Sequence, residues 1–437
     1  MNLNVMRAID RFAGIPLTFL LTWFGRLRQL GRRRAVCQPK NLLFIELSEM
    51  GSAILADPAM RLAGSWPGTQ LHFVIFGSNK ASLDLLGTVP QENIFCIDAS
   101  GFGRLTKTTL QFLRWCRRKN IDTVIDLELF SRFTALLTGS SGARNRVGFH
   151  AFHNEGLYRG DLLTHKVAYN PFQHIAKNFV ALVHALQQDP EQVPLLKRVI
   201  ADEEVQLARA TVSVDQRALV LQAIARRVPA FRSAETRVIL VNANSSDLLP
   251  QRRWPRAYFA EAIRALLAWD ARILVLLTGS PGEAAEADDL ARGIADPRCV
   301  SFAGAIAFEQ LPHLYSVSEC MLTNDSGPGH FAAITAMHTF VIFGPETPAL
   351  YGSLGSTTPI YAGMACSPCV SAANHRRTPC RDNRCVQVIT PSSVVQTMCA
   401  WLADRSAPEE ALAVREIPRG TPGTRIPAAE GHPIARE

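Results

Sequence analysis

Short runs of β-forming residues alternate with helix-length stretches along most of this 437-residue chain, and this alternation restricts the fold more than any other feature. The runs form two series of five. They lie at residues 42–47, 70–76, 93–98, 121–127 and 145–150, and at residues 237–244, 271–278, 297–304, 318–324 and 338–344. Strands connected by helical crossovers form parallel sheets. The pattern therefore predicts an α/β protein with two doubly wound, Rossmann-like parallel-sheet domains.

The segments around the two series complete the predicted domain organisation. Residues 170–235 contain no strand-like run, and the end of the chain combines five prolines with mixed charge and no periodicity. The predicted division is an N-terminal amphipathic segment at 1–40, a first Rossmann-like domain at 41–200, a helical connection at 201–235, a second Rossmann-like domain at 236–405 and a disordered tail at 406–437.

Positive charge is concentrated at the N terminus. The formal net charge is +8, and residues 1–40 account for +7 of it, with eight Lys and Arg residues against Asp10 alone. Because the remainder is nearly neutral, no basic stripe for nucleic acid is expected, and nucleic acid is not predicted as a partner.

The same segment contains the uncharged stretch FAGIPLTFLLTWF, residues 12–24. As a helix it would span about 20 Å, less than the roughly 30 Å hydrocarbon core of a bilayer. We interpret it as an interfacial helix whose apolar side chains enter the headgroup boundary while the following arginines meet anionic lipid. Those side chains are Phe12, Phe19, Leu20, Trp23 and Phe24. The alternative is a helix packed on the domain surface.

Polar, Gly-rich loops follow the strands of the second series, where parallel sheets bind their ligands. They are NANSSDLLPQRRWP, TGSPGE, FAGAIAFEQLP, NDSGPGH and FGPETP. In the fourth loop, Asp325 or Ser326 can cap the next helix, and Gly327 leaves the helix amides accessible to a phosphate. Each loop alone is an ordinary turn, but together they predict a site for a nucleotide or phosphorylated ligand.

Other loop residues extend this prediction. Ser245, Ser246, Arg252 and Arg253 follow the first strand of the series and can meet the same anion, since Arg binds phosphate through two donors. Glu283 opens the next helix, in the position of a ribose-binding acid.

Residues 323–355, TNDSGPGHFAAITAMHTFVIFGPETPALYGSLG, resemble the signature of glycosyltransferase family 9, which contains the ADP-heptose:lipopolysaccharide heptosyltransferases. That signature has an Asp-Ser/Thr-Gly-x-x-His core, an apolar strand and a Gly-Pro-Thr/Glu loop. RRWPRAYFAEAI resembles the family's Lys-x-Trp-Pro helix start, and residues 41–76 resemble its opening strand and glycine turn. The resemblance extends over roughly residues 41–400.

The resemblance implies a GT-B fold, in which an N-terminal acceptor domain faces a C-terminal nucleotide-sugar donor domain across a cleft. It further implies an inverting, metal-independent sugar transfer without a cofactor, with ADP-heptose as one candidate donor. The expected acceptor is a lipid-linked glycan or glycolipid of lipopolysaccharide or a related cell-surface polysaccharide. The expected location is peripheral, on the cytoplasmic face of the bacterial inner membrane.

The family's donor-binding roles carry over to matching positions. Asp325, Ser326, Gly327 and His330 would contact the donor's sugar and phosphates. Arg252 or Arg253 would replace a phosphate-binding Lys, and Glu283 would hold the ribose. Cationic groups and helix amides there would stabilise the departing diphosphate. For His330, a buried histidine that bonds a carbonyl is the alternative.

The sequence departs from the family in its first loop, where the family has Gly-Asp and this chain has Gly51-Ser52. The family Asp is the base that deprotonates the acceptor hydroxyl, and a serine cannot fill that role unaided. We predict that Glu49 replaces it beside Ser52. The further candidates are Glu46, Asp57 and His150. The alternative for Glu49 is a solvated turn carboxylate.

The acceptor is expected to meet the polar, aromatic stretch at residues 148–179. The predicted acceptor-binding residues are His150, His153, Tyr158 and Arg159, because rings stack on sugars and Arg binds anions. A surface loop without a ligand is the alternative.

Three further possibilities remain open from the sequence. Cys366, Cys369, Cys380 and Cys385 have nearly zinc-like spacing, although a Cys-rich loop with incidental thiols is the alternative. A dinucleotide-dependent oxidoreductase is disfavoured, because the first strand lacks G-x-G-x-x-G. A catalytically silent family relative that binds a nucleotide sugar or glycan at the membrane is the alternative function.

Overall fold

The computed structural model describes residues 3–29, 37–129, 131–150, 158–246, 249–371 and 376–404, and it contains two six-stranded, all-parallel sheets. The first sheet contains β1 (Asn41–Ile45), β2 (Gln70–Phe76), β3 (Ile94–Ile97), β4 (Thr123–Asp126), β5 (Asn145–His150) and β6 (His165–Ala168). The second contains β7 (Arg237–Asn242), β8 (Ile273–Leu277), β9 (Cys299–Ser301), β10 (Cys320–Asn324), β11 (His338–Phe343) and β12 (Thr357–Tyr361). The predicted fold class is confirmed.

Helices connect the strands of each sheet. Those up to β7 are α1 (Leu3–Phe12), α2 (Gly14–Gln29), α3 (Met50–Leu55), α4 (Asp57–Gly64), α5 (Ala81–Leu86), α6 (Phe102–Arg118), α7 (Arg132–Ser140), α8 (Ile175–Ala185) and α9 (Val214–Arg227). Those after β7 are α10 (Arg256–Trp269), α11 (Ala284–Ile294), α12 (Leu311–Ser316), α13 (Gly327–Ala332), α14 (Pro348–Tyr351), α15 (Arg384–Gln387) and α16 (Pro391–Asp404).

The two sheets have equivalent strand orders. The first runs β3-β2-β1-β4-β5-β6 and the second β9-β8-β7-β10-β11-β12, so each reverses direction beside its first strand. Alternate side chains of β1 lie in separate cores, with Leu42 and Phe44 on one face and Leu43 and Ile45 on the other. Helices therefore cover both faces, and ligands in such sheets bind at the reversal points, β1/β4 and β7/β10.

The sequence patterns missed the sixth strand of each sheet. β12 contains Pro359, which cannot donate a ladder hydrogen bond and is tolerated because β12 is an edge strand that pairs with β11 alone. β6 has four residues and lies at the equivalent edge of the first sheet, beside β5. Short edge strands carry a weak hydrophobic sequence pattern, because a strand that is paired on one side only tolerates polar residues and proline.

The N-terminal segment forms α1 and α2, where one interfacial helix was predicted. The face of α2 that packs inward is small and polar: Gly14 lies against Arg132, and Thr22 accepts a hydrogen bond from the Asp161 amide at 2.9 Å. Its large apolar side chains point outward instead, with both Phe19 and Trp23 58% exposed. Every helix in the described ranges is too short or too polar to span a bilayer.

Asp10 fixes these two helices to the first sheet. Its carboxylate accepts hydrogen bonds from the Arg132 and Phe133 amides at 3.0 and 2.9 Å and forms an ion pair with the Arg132 guanidinium at 3.1 Å. It therefore caps the N-terminus of α7, where a negative charge is favourable. The predicted domain boundaries stay a prediction, and the predicted tail at 406–437 lies outside the described residues.

Candidate active site

A cleft of about 620 Å³ lies where the carboxyl ends of the two sheets face each other. Residues from the loop after β1 line one wall, including Glu49, Gly51 and Ser52. Loops after β7, β8, β10 and β11 line the other, with Ser245, Ser246, Arg252, Glu283, Asp325, Ser326, Gly327, His330 and Glu346. Both reversal points therefore contribute to one cavity of ordinary ligand-site size.

Buried polar contacts fix the loops on the second-sheet side. The Asn324 side chain at the end of β10 accepts a hydrogen bond from the Trp254 amide at 2.9 Å and donates to the Ala243 carbonyl at 3.0 Å. Trp254 is buried, and its indole donates to the Ile389 carbonyl at 2.8 Å. These bonds hold the loop after β7, which carries Arg252, against the loop after β10.

The centre of the cleft is an ionic cluster of Glu49, Arg252, Asp325, Glu346 and Arg376. Arg376 forms ion pairs with Glu49 and, at 2.8 Å, with Glu346. Arg252 forms ion pairs with Glu346 at 2.5 Å and with Asp325 at 3.4 Å. Three carboxylates share two guanidiniums here, so the two cations that a ligand would meet are already surrounded by competing anions.

The electrostatics of this cluster are strongly perturbed. Burial would raise the pKa of Glu49, but the Arg376 and Arg252 guanidiniums outweigh it and lower that pKa to about 2. Burial raises the pKa of Glu346 to about 7 against the opposing effect of the same two arginines. Burial also lowers the pKa of His330 to about 4, so its imidazole is neutral at pH 7.

Several buried polar atoms that face the cleft have no hydrogen-bond partner among the described residues. They are Ser245 Oγ, His330 Nδ1, and the Arg252 Nε and Asp325 Oδ2 atoms, which face each other at 3.4 Å as an ion pair without a hydrogen bond. Native proteins rarely leave such atoms unsatisfied, and a convergent set of them is typical of a polar ligand site.

The two sides of the cleft touch at Gly51. A Cβ built there would lie 2.7 Å from His330 Cδ2, so a larger residue would displace the imidazole or separate the two loops. Ser52 follows in α3 and lines the cleft.

A second group of carboxylates lies behind Glu49. Glu128, after β4, accepts hydrogen bonds from the Leu47 amide at 3.0 Å and from the Ser48 hydroxyl at 2.7 Å. Burial raises the pKa of both Glu46 and Glu128, and the charge of Glu128 raises the pKa of Glu46 further. Both carboxyl groups are therefore shifted towards their protonated forms.

Comparison with known proteins agrees with this architecture. The sequence model of glycosyltransferase family 9 (heptosyltransferase) matches residues 109–378, more than half of the chain. The chain belongs to glycosyltransferase family 9. It is accordingly a glycosyltransferase, as the sequence motifs predicted. No curated protein matches the chain.

Solved structures share the GT-B fold at low identity. ADP-heptose LPS heptosyltransferase II of E. coli aligns with a TM-score of 0.61 and 18% identity, covering 84% of this chain and 100% of that one. A family 9 glycosyl transferase from Veillonella parvula gives 0.58 and 16%, covering 75% and 87%. E. coli heptosyltransferase WaaC with ADP gives 0.51 and 19%, covering 73% and 92%.

The remaining predicted donor residues of this family 9 enzyme occupy different environments. Ser326 is the N-cap residue of α13 but makes no side-chain capping bond there, and its hydroxyl donates to the Asn324 carbonyl at 3.1 Å. Arg253 donates to the Ser245 carbonyl at 2.8 Å and supports the loop, whereas Arg252 enters the cleft. Glu283 accepts a hydrogen bond from the Ser280 hydroxyl at 2.8 Å, which fixes its carboxylate at the rim of the cleft.

Of the predicted acceptor residues, the three that the structure describes, His150, Tyr158 and Arg159, do not line the cleft. Arg159 is buried and forms an ion pair with Asp126, and it donates to the Ser131 carbonyl at 2.9 Å. Its guanidinium ties the loop to β4, and the acceptor-binding role of Arg159 stays a prediction. His153 lies outside the described residues.

The surroundings of the candidate base Asp57 and of the zinc-like cysteines are also defined by the structure. Asp57 is buried and accepts a hydrogen bond from Thr88, away from the cleft, so its role is structural. Burial raises the pKa of the Cys385 thiol to about 11. In the described part of the chain, no group of three or more His, Cys, Asp and Glu residues is placed to hold a metal ion, and the zinc-like cysteine spacing forms no such group.

Sequence reasoning missed Arg376, Glu346 and Glu128. Glu346 stands in the quoted FGPETP loop and could have been singled out there. Arg376 follows a long segment without a recognisable pattern, and Glu128 becomes significant only when β4 pairs with β1, which places it beside Ser48.

Proposed function

We propose that this family 9 enzyme transfers a sugar from a nucleoside-diphosphate sugar to a hydroxyl of a membrane-associated glycan or glycolipid, with inversion at the anomeric carbon and without a metal ion. The observation that carries the proposal is the ionic cluster. In this cluster two partly buried arginines lie beside polar atoms that lack hydrogen-bond partners, in a cleft of ligand size.

The donor's diphosphate would bind Arg252 and Arg376, since guanidiniums match phosphate oxygens and are permanently charged. Asp325 and His330 would hold hydroxyls of the transferred sugar, and Ser245 Oγ would donate to a phosphate oxygen. Glu283, with Ser246 and Ser326 nearby on the lining, would meet the ribose and the rest of the nucleoside. ADP-heptose is the leading donor, because the E. coli heptosyltransferases of the same fold carry it or ADP in their names.

The chemical step needs charge stabilisation on the departing nucleoside diphosphate. The two guanidiniums of Arg252 and Arg376 would supply it without a divalent cation, in a site where burial strengthens each interaction. The acceptor hydroxyl would attack the anomeric carbon from the side opposite the leaving group, which inverts the configuration.

Glu49 is the proposed base that accepts the proton of that hydroxyl, with Ser52 beside it as a hydrogen-bond partner of the acceptor. A carboxylate with a pKa of about 2 is a weak base. However, a diphosphate that binds Arg376 would compete with Glu49 for it, and a buried carboxylate without its guanidinium has a raised pKa. Donor binding would thus prepare the base.

The acceptor is proposed to be presented at the inner face of the inner membrane. Support comes from α2, whose small polar face packs inward while Phe19, Leu20 and Trp23 are more than half exposed. Arg26, at 71% exposure of its side chain, follows directly, and the sequence continues with further arginines. Exposed aromatics followed by basic residues suit an anionic membrane surface.

The first experiment is a calorimetric titration of the purified protein with ADP-, UDP-, GDP- and CDP-sugars, repeated with Asp325→Ala and with Asp289→Ala as an exposed control. Binding of one nucleotide class that is weakened by Asp325→Ala alone supports the donor site. Absence of any donor binding would overturn it. Tight donor binding without transfer to any lipid extract would instead favour the catalytically silent relative.

A further inference from the structure

A second cavity, here called the apolar cavity, lies between the N-terminal helices and the first sheet and has a volume of about 590 Å³. Side chains of α1, α2, α6 and α7 contribute to its wall. They are mainly aliphatic or aromatic, among them Leu17, Leu105, Leu113, Phe133, Leu136 and Leu137. The one ionised side chain from its N-terminal helices, Asp10, is already bound to Arg132 and the α7 amides.

The inner end of the apolar cavity is the candidate active site. Ser48, Glu49, Ser52, Arg252, Tyr351 and Arg376 line both this cavity and the cleft. Glu46 and Glu128 line the apolar cavity alone, directly behind Glu49. A molecule that occupied the apolar cavity would therefore place one end beside the proposed base.

The outer end opens among exposed apolar side chains. Leu17, Phe102 and Leu110 line the cavity, yet they are 49%, 65% and 51% exposed. They belong to α2 and α6, and α2 also exposes Phe19, Leu20 and Trp23. The opening thus lies beside the surface that the proposed function assigns to the membrane, and large exposed apolar surfaces of this kind mark interaction sites.

We infer that the apolar cavity binds the hydrocarbon chain of the acceptor's lipid and delivers the acceptor hydroxyl to Glu49. A sugar would leave most of its hydroxyls unpaired against this wall, whereas a hydrocarbon chain gains from leaving water and needs no hydrogen bonds. The chain enters between α2 and α6 from the membrane. This inference rests on the proposed function, because it identifies the class of acceptor for the same site.

The test uses laurdan, an uncharged fluorophore with an acyl chain whose emission shifts to the blue in an apolar site, titrated into the full-length protein. Leu113→Trp on α6 and Leu136→Trp on α7 fill the cavity from two helices, so one remains informative if the other fails to fold. Leu219→Trp on α9 is the matched control, since Leu219 is exposed and does not line the cavity. Each filled variant should weaken laurdan binding by about tenfold or more, because the chain loses buried contact area.

Two further arms separate this inference from its alternatives. Leu20→Glu should leave laurdan binding unchanged, since Leu20 lies outside the cavity. If Leu20→Glu weakened laurdan binding and the filled variants did not, the probe would bind the exposed face of α2, and the inference would be overturned. Displacement by hexadecanol identifies an acyl-type chain and displacement by farnesol a prenyl-type chain, and either result supports the cavity.

Nucleotide-sugar binding is titrated on the same samples and should not change in the filled variants. If the protein binds the nucleotide sugar but does not bind laurdan, only the inference of a hydrocarbon site is overturned. If the protein binds no nucleotide sugar, the proposed function is overturned, whether or not laurdan binds.

Discussion

The loops at β1/β4 of the first sheet and those at β7/β10 of the second occupy equivalent positions but differ in chemistry. The first pair brings Glu46, Glu49 and Glu128 together beside an apolar cavity. The second pair brings Arg252, Asp325 and His330 together, with orphaned polar atoms. The strand order is the same, so the fold alone does not decide what binds. It decides where binding occurs, and the loop residues decide the ligand.

The two sides have different functions in our proposals: proton transfer and a lipid chain on the first, nucleotide and diphosphate on the second. A variant on one side should therefore change a different measured quantity from a variant on the other. Four predictions test this separation, from the largest expected effect to the smallest.

Glu49→Gln should lower kcat by about 10²–10⁴, the range for loss of a general base. Donor affinity should rise at the same time, because the amide no longer competes with the diphosphate for Arg376. Steady-state kinetics and donor titration measure the two effects, and Glu283→Gln serves as a carboxylate control whose effect should fall on donor affinity. If Glu49→Gln lowered donor affinity and kcat equally, Glu49 would belong to the donor site and the separation would fail.

Arg252→Gln should lower kcat/KM by about 10²–10³ and weaken donor binding, since it removes a cation from the leaving diphosphate and leaves Asp325 and Glu346 less compensated. Arg256→Gln is the matched control, because Arg256 is exposed and donates to the Glu286 carbonyl outside the cleft. An unchanged kcat/KM in Arg252→Gln would remove the main support for metal-free catalysis.

Leu20→Glu should reduce partitioning onto anionic vesicles by about tenfold, since burial of a leucine contributes roughly 1.5–3 kcal/mol. Leu219→Glu is the matched control, because the side chains of Leu20 and Leu219 are similarly exposed, at 56% and 55%. Vesicle sedimentation measures the difference, and donor affinity should stay constant in both. Equal partitioning of the two variants would contradict the membrane-facing assignment of α2.

Donor affinity should fall by a few-fold, and at most about tenfold, for each pH unit above 7, because donor binding is coupled to the uptake of a single proton. Burial raises the pKa of Glu346 to about 7, and an arriving diphosphate raises it further, so binding takes up a proton. Calorimetry in two buffers of different ionisation enthalpy measures this uptake. Glu346→Gln should abolish it; persistence in that variant would assign the proton to another group.

The fold followed from the sequence because its central strands are buried on both faces and so form continuous apolar runs, as in β7 and β8. The edge strands β6 and β12 could not be predicted from the sequence, since a strand that is paired on one side only permits polar residues and Pro359. The packing of α2 was also unpredictable, because its apolar residues indicate a surface but not that Gly14 and Thr22 face the protein.

The second-sheet wall of the cleft was largely predictable, because Arg252, Asp325 and His330 stand in loops with a local signature. Arg376 and Glu128 were not, since each reaches the site through tertiary packing. The burial of Arg159 was not predictable either, because the buried Asp126 that binds it lies 33 positions earlier. A charge whose partner is distant in sequence cannot be assigned from local pattern.

The outward orientation of Phe19 and Trp23 on α2 has a kinetic consequence. A protein held at a bilayer by this helix would meet its acceptor by lateral diffusion in two dimensions and its donor from bulk solution. Its rate would then depend on the mole fraction of acceptor in the membrane, and diluting that acceptor with inert lipid at constant bulk concentration would slow transfer.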